Sequence, residues 1–377
     1  MIHVIHTIDA FTATSGGTST CTYDLLCALN ARQDVQAQIL VTQPKTPLMG
    51  RGEDWIRTVE NDEKTLFGIS SNLRRGLEQS SADIYHTNGL WRYCNHVTAV
   101  VARQKGKPFV ITPHGMLYPQ ALERSKWQKK LFSRLLFDRD LREAACIHVT
   151  CEEEMEVVRR LGYTNPVAVI GNPVRMPKRT ETVKTERVRF GYLGRLHPRK
   201  QVELLIEALS LLSADEQARC ELVIMGTGER NYEQYLRGLA IQAKLGNVRF
   251  AGFVEGEEKE RELAALSALF VPSDFENFGM IITEALSCGT PVWASTGTPW
   301  RVLQEQQCGW WQEAKVENIV AAMREIIGMP PETIEAMGVV GRQFVQEHFA
   351  AENVAQQMEE LYQWIATKQT KPAFVYE

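Results

Sequence analysis

Residues 269–287 read LFVPSDFENFGMIITEALS. Leu269–Pro272 is a short apolar run of strand character, and Met280–Ser287 places apolar residues at helical spacing. Between them lies a loop, with Gly279 where the helix opens. A strand feeding a helix through a short loop is half of a βαβ unit, the building block of a parallel sheet. Glu276 falls in the loop and Glu284 on the new helix. Free backbone N–H groups and the dipole at a helix start suit a phosphate, which here implicates Asn277, Phe278, Gly279 and Met280. A carboxylate accepts two hydroxyl hydrogen bonds, as sugar or ribose recognition requires, though two solvated glutamates around a capped helix would read the same way.

The same rhythm continues in both directions. Toward the N-terminus the spacing predicts strands at Ile2–His6, Gln38–Thr42, Asp83–Thr87, Pro108–Thr112, Cys146–Thr150 and Val167–Ile170. A polar stretch without apolar periodicity follows, and the pattern restarts at Val188–Leu193, Glu221–Met225, Asn247–Phe250, Leu269–Pro272 and Pro291–Ala294. Helices fill the gaps, among them Val202–Leu212, Arg230–Leu245 and Met280–Ser287. The fold class is therefore α/β: two Rossmann-like domains with parallel sheets. Residues 1–173 form the first domain, 174–187 a linker and 188–350 the second domain. Residues 351–377 form a helix and an irregular tail, expected to return to the first domain. Ligands of such sheets bind at the carboxyl ends of the strands, so the expected site is a cleft between the domains.

The composition agrees with a soluble globular chain. Of 377 residues 44% are apolar and 23% charged, and the net charge of −4 gives no global attraction to nucleic acid. The eight cysteines include no CxxC pair, which speaks against zinc or a redox dithiol and fits free thiols in the cytoplasm. The chain enters a strand at once, so no signal peptide is expected. No apolar run approaches the roughly 20 residues of a spanning helix.

Four further stretches carry chemistry. Gly194-Arg195-Leu196-His197-Pro198-Arg199-Lys200 follows the first strand of the second domain, so Arg195 and Lys200 can neutralise a diphosphate and stabilise it as a leaving group. Ser15-Gly16-Gly17-Thr18 follows the first strand of the chain, where paired glycines admit a ligand to the backbone. Gly226-Thr227-Gly228 is similar in kind, and either stretch is equally well an ordinary turn. Pro113-His114-Gly115 puts a histidine at a strand end, where it can hydrogen-bond a sugar hydroxyl, and His86 before Asn88-Gly89 is a second candidate.

Gly16-Gly17, His114, the Arg195-to-Lys200 spacing, Pro272-Ser273 with the Glu276-to-Glu284 unit, and Gly289-Thr290-Pro291-Val292 occur in this order. Together they resemble the retaining GT-B glycosyltransferases of family 4, over nearly the whole chain. The resemblance implies that Gly16 and Gly17 contact donor phosphates and that Arg195 and Lys200 hold the diphosphate. It implies that Glu276 reads the transferred sugar, with the Phe278-Gly279-Met280 amides nearby, and that Glu284 holds the ribose. Phe253-Val254 would clasp the base, and His114 would approach the reactive carbon. Thr112-Pro113-His114-Gly115-Met116-Leu117 and Gly297-Thr298-Pro299-Trp300 with Cys308-Gly309-Trp310-Trp311 look like bacterial enzymes of capsule, O-antigen or exopolysaccharide assembly. Arg301 stands where those often carry an acid. The implied activity is transfer of a hexose-type sugar from a nucleotide-diphosphate sugar, UDP in preference to GDP, to a saccharide acceptor, free or lipid-linked.

No cofactor is expected. The only Asp-x-Asp, Asp138-Arg139-Asp140, falls inside a predicted helix and reads as a solvated face, so Arg195 and Lys200 replace a metal's charge. Arg124–Phe137 carries five cations, no acid, and apolar residues including Trp127 and Phe132. It is either a core helix with a basic face or a peripheral contact with an anionic inner membrane surface. Two rivals remain: a non-hydrolysing sugar-nucleotide epimerase, and a silent sugar-nucleotide-binding subunit. A dehydrogenase lacks its glycine fingerprint.

Overall fold

A computed structural model describes residues 1–12, 15–44, 46–50, 52–64, 67–122, 136–177 and 187–377. It divides into two compact units, Met1–Pro173 with Ala351–Glu377, and Val174–Ala350.

The first unit is built on strands β1 (Ile2–Ile8), β2 (Val35–Thr42), β3 (Ile56–Val59), β4 (Ile84–Asn88), β5 (Phe109–Thr112), β6 (Cys146–Val149) and β7 (Val167–Val169). These seven strands are ordered β7-β6-β5-β4-β1-β2-β3, parallel to one another, with Ile2 beside Val35 and Val4 beside Ile84. The chain runs outward from β1 to β2 and β3, then resumes at β4 on the other side of β1. The switch point between β1 and β4 is where loops part to leave room for a ligand. Both faces are covered, so β4 is buried along its whole length, as parallel strands require. The helices Gly17–Asn30 and Ala351–Thr367 pack together over one face, closing a core that includes Leu26, Ile39, Met358 and Leu361.

The second unit has β8 (Val188–Leu193), β9 (Cys220–Met225), β10 (Val248–Gly252), β11 (Ala268–Val271), β12 (Val292–Ser295) and β13 (Gly309–Gln312). Its order is β10-β9-β8-β11-β12-β13, again all parallel, so the switch point lies between β8 and β11. Apolar clusters cover both faces of the sheet, one around Phe190, Phe270 and Trp293, the other around Leu269, Ile282 and Trp300.

Three strands escape the sequence pattern. β3 reads Ile-Arg-Thr-Val at a sheet edge and is only partly buried. β13 is Gly-Trp-Trp-Gln, also an edge, and Gly309 is required because a Cβ there would stand 2.0 Å from Val292 O on β12. The tail expected to be irregular holds Val375–Tyr376, paired antiparallel with β7. The second unit begins inside the expected linker. Val174 is buried, and its N–H donates to Phe349 O at 2.8 Å.

Candidate active site

In the second unit, β8 and β11 deliver the residues of interest at the switch point. Beyond β8, Tyr192 Oη donates to Arg195 O at 2.9 Å, shaping the loop that carries Arg195 and Lys200. Leu196 is buried and its N–H donates to Thr227 O at 2.9 Å. This contact explains Gly226 and Gly228. A Cβ on Gly226 would be 1.9 Å from Gly194 O, and one on Gly228 1.9 Å from Leu196 O. What approaches these glycines is the 194–196 backbone.

The loops after β8, β11 and β12 are tied to one another. Asp274 N–H donates to Arg199 O and Glu276 N–H to Gly297 O, each at 2.9 Å. Arg199 also pairs with Asp274 at 3.2 Å and lies over the Phe275 ring. Gly297 has no room for a Cβ, which would fall 2.4 Å from Asp274 O. Lys200 Nζ makes a short ion pair with Glu276 Oε1, and Ser273 Oγ donates to the same oxygen at 2.8 Å. Arg195 is exposed and has no ion pair among the described residues.

Gly279 caps the helix Met280–Ser287 with φ 79° and ψ 61°, a left-handed conformation that favours glycine. The turn before it is locked by Phe278, buried against Trp300 and Phe349, while Trp300 Nε1 donates to Phe278 O at 2.5 Å. The first amides of the helix are thus held by the core and not by chance. Glu284, one turn further, pairs with Lys259 Nζ at 2.9 Å. Val254 is buried, whereas Phe253 is 61% exposed.

In the first unit, Gly16 has φ 84° and caps the helix Gly17–Asn30, and a Cβ there would meet nothing within 4 Å. The backbone conformation demands this glycine, and the space around it is open. His114 follows β5 with φ 50°, unusual for a residue with a side chain. Gly115 N–H donates at 2.5 Å to Oε1 of Glu154, whose other oxygen accepts from Thr150 N–H at 3.0 Å. Glu154 is fully buried, so the strained loop is over-determined by an internal carboxylate. Burial pushes the His114 imidazole down to about 3, which keeps it neutral.

Two family models divide the chain between them: "Glycosyl transferase 4-like domain" matches residues 16–173, and "Glycosyl transferases group 1" matches residues 177–344. The chain belongs to the GT-B glycosyltransferases of the family 4 type. Among curated relatives, the chain is 33% identical over 109 residues to an Escherichia coli O-antigen chain mannosyltransferase B, covering 28% of each chain. Its matches span about a quarter to a third of the length of the first curated relatives. Sucrose-phosphate synthase from Thermosynechococcus elongatus has the same fold, with TM-score 0.77 at 21% identity over 97% of this chain and 100% of that one. So does Anabaena HepE, solved with UDP and glucose, with TM-score 0.72 at 17% identity over 96% and 99%.

Several expectations change with the structure. His86 is not at an open strand end. It is fully buried, between Tyr362 Oη and Thr112 Oγ1, each at 2.7 Å. Asp140 is not on a solvated face. It is 1% exposed, 2.6 Å from His96 Nδ1 and 2.7 Å from Arg103, because its side of the helix faces the core. Asp138 points elsewhere, to Arg142 at 2.8 Å. No group of three His, Cys, Asp or Glu among the described residues could hold a metal. Arg301 pairs with Glu305 at 3.1 Å on an exposed helical turn. Of the basic stretch Arg124–Phe137, residues 124–135 lie outside the described part, and Phe137 is buried against Trp91 and Phe67. No helix among the described residues is long and apolar enough to cross a membrane. Lys259, Glu154, Asn88 and Tyr362 gave no sign in the sequence, because their partners lie far away along the chain.

Proposed function

We propose that this transferase moves a hexose-type sugar from a UDP-sugar to a saccharide acceptor, with retention and without a metal, in the assembly of a bacterial surface polysaccharide. The acceptor in this reading is lipid-linked, and Arg124–Phe137 meets the anionic inner face of the membrane. The observation that carries the proposal is the Lys200–Glu276 pair beside the helix start at Gly279, at the switch point of the second sheet. A diphosphate offers Lys200 more negative charge than one carboxylate does, so the donor draws the ammonium away from Glu276. Glu276 stays anchored by Ser273 and can then accept sugar hydroxyls. Arg195, which makes no ion pair among the described residues, adds a second charge on the leaving group. The amides at Gly279-Met280 add the helix dipole. Kinship with an O-antigen mannosyltransferase supports a polysaccharide product, and the UDP bound to Anabaena HepE supports the choice of base.

The test is a thermal-shift panel followed by product analysis. UDP-glucose, UDP-galactose or UDP-N-acetylglucosamine should raise Tm more than GDP-mannose, since a ligand bound only by the folded state stabilises it. The anomeric coupling in the isolated product should match the donor's α configuration. A larger shift with GDP-mannose would overturn the base, and an inverted product the stereochemistry.

Two expected outcomes arise here. Turnover should persist in excess EDTA, since cationic side chains and amides supply the charge a metal would otherwise supply. Loss on chelation with recovery on adding magnesium or manganese would show that charge to be insufficient. The glutamates should also fail differently. Glu276→Gln should mainly lower kcat, because its contact strengthens as the sugar departs. Glu284→Gln should mainly raise donor KM, because ribose is held alike in ground and transition states. Steady-state kinetics with varied donor distinguishes these, and a reversed pattern would exchange the two roles.

A further inference from the structure

A file of buried polar side chains crosses four strands in the first unit, β6, β5, β4 and β1, and ends at His114. His148 Nε2 lies 2.8 Å from Ile170 O, and His148 Nδ1 is 2.8 Å from Thr112 Oγ1. Thr112 Oγ1 is 2.7 Å from His86 Nε2, and His86 Nδ1 is 2.7 Å from Tyr362 Oη. Tyr362 Oη is 3.0 Å from His6 Nε2, and His6 Nδ1 is 3.3 Å from Asn88 Nδ2. Asn88 Oδ1 then reaches His114 Nε2 at 3.5 Å.

The direction of every bond follows from one end. A carbonyl only accepts, so His148 carries its proton on Nε2, and its Nδ1 accepts from the Thr112 hydroxyl. The Thr112 oxygen in turn accepts from His86 Nε2–H, so His86 Nδ1 accepts from the Tyr362 hydroxyl. The Tyr362 oxygen accepts from His6 Nε2–H, so His6 Nδ1 accepts from the Asn88 amide. That leaves Asn88 Oδ1 to accept from His114 Nε2–H. A second anchor gives the same answer independently. Asn88 Nδ2 also donates to Thr7 O at 3.2 Å, which turns the amide oxygen toward His114. The order needs neutral imidazoles, and burial supplies them: His6 is pushed down to about 3, His148 to about 4, and His86 well below its ordinary value. Burial likewise keeps the Tyr362 phenol protonated.

We propose that this chain of hydrogen bonds sets the tautomer of His114, with the proton on Nε2 and Nδ1 left as a lone-pair acceptor. Asn88 is then a positioning residue for the transfer reaction, and Tyr362, supplied by the helix Ala351–Thr367, joins it through His6 to His86. The inference rests on the reading that His114 meets the donor sugar, and it deepens that reading. A histidine in this tautomer offers the ligand an acceptor at Nδ1, so the group it recognises is a hydroxyl that donates. Among the described residues Nδ1 has no hydrogen-bond partner of its own. Asn88 is the link on which His114 depends, and Tyr362 joins the two anchored ends, because its hydroxyl both donates to His86 and accepts from His6. Tyr362 lies 276 residues beyond His86 in the chain.

Nitrogen-15 spectroscopy of histidine-labelled protein at neutral pH tests this, with the His114 signals assigned by their loss in His114→Ala. In the wild type His114, His6, His86 and His148 should all be neutral Nε2–H tautomers. Asn88→Leu keeps the bulk of the side chain and removes the amide. It should mix the tautomers of His114 while His86 and His148 keep theirs, and lower kcat roughly tenfold or more with donor KM within about twofold. A wild-type His114 protonated on Nδ1 would overturn the proposal without recourse to any variant. So would a folded Asn88→Leu enzyme with unchanged His114 signals and unchanged kcat. His114→Ala separates this from the underlying reading: normal turnover in that variant removes the sugar contact, while the wild-type spectrum still decides the proton order.

Discussion

Lys200→Ala should lower turnover by about two to three orders of magnitude while the protein stays folded, the scale seen when one preorganised electrostatic contact to a developing negative charge is removed. The ammonium is held by Glu276 at the switch point, with Ser273 fixing the carboxylate from the other side. Removing it acts twice. The leaving diphosphate loses a counter-charge, and Glu276 is left without its cation, facing the donor as an uncompensated negative charge. Donor KM should therefore rise together with the fall in kcat. The fold should survive because both partners reach solvent at the surface of the loops and the apolar clusters beneath do not include them. Arg195→Ala should also abolish most transfer, with Tm nearly unchanged, since its side chain is exposed and makes no ion pair among the described residues. The double variant Lys200→Ala, Glu276→Gln should be less impaired than the product of the single effects, because neutralising Glu276 relieves the repulsion that Lys200→Ala creates. Near-normal turnover in either single variant, measured as nucleotide release with acceptor present, would remove the diphosphate role.

The first unit should lose stability steeply as pH falls below about 6.5. His6, His86, His148 and His114 are neutral in the fold, with the imidazoles pushed down to about 3 for His6 and His114 and about 4 for His148. In the unfolded chain they titrate near 6.5. Between these values the unfolded state binds the protons and the folded state does not. The stabilisation is therefore complete above about 6.5 and drains away as pH drops toward 4. Each such group costs about 1.4 kcal/mol per pH unit, or on the order of 2 kcal/mol by pH 5. Two groups already remove a large share of the roughly 5–15 kcal/mol that a domain possesses. Asp83 and Asp62, whose carboxyls are held below their ordinary values, add losses of the same sign, but only at lower pH. Thermal melts between pH 7.5 and 5, with hydrogen exchange to localise the change, should show protection lost first around β1, β4, β5 and β6. A Tm that stays level down to pH 5 would mean that these histidines take up protons within the fold.

Much of this protein can be read from the order of its residues. Apolar runs of strand length alternating with amphipathic stretches identify two parallel sheets, because a strand buried on both faces has few other sequences open to it. The helix Met280–Ser287 coincides with its expected bounds, since Gly279 opens it and its apolar spacing is regular. Glu276, Gly279 and Glu284 were legible as a unit because their relation is local: one loop and two helical turns. The edge strands β3, β13 and Val375–Tyr376 were not, because an edge needs only one neighbour and can be short, polar or glycine-led. The partners of the site residues were not legible either. Lys200 meets Glu276, Lys259 meets Glu284, Gly115 meets Glu154, and Tyr362 meets His6 and His86 only because of the order of strands in each sheet and the return of the last helix to the first unit. The sequence by itself determined which elements form and which of their ends carry charge, since propensity, periodicity and capping act over a few residues. Tertiary structure alone decided which charges are already spent on one another and which histidines are buried and neutral, because burial and pairing depend on residues that are neighbours in space while hundreds of positions apart in the chain.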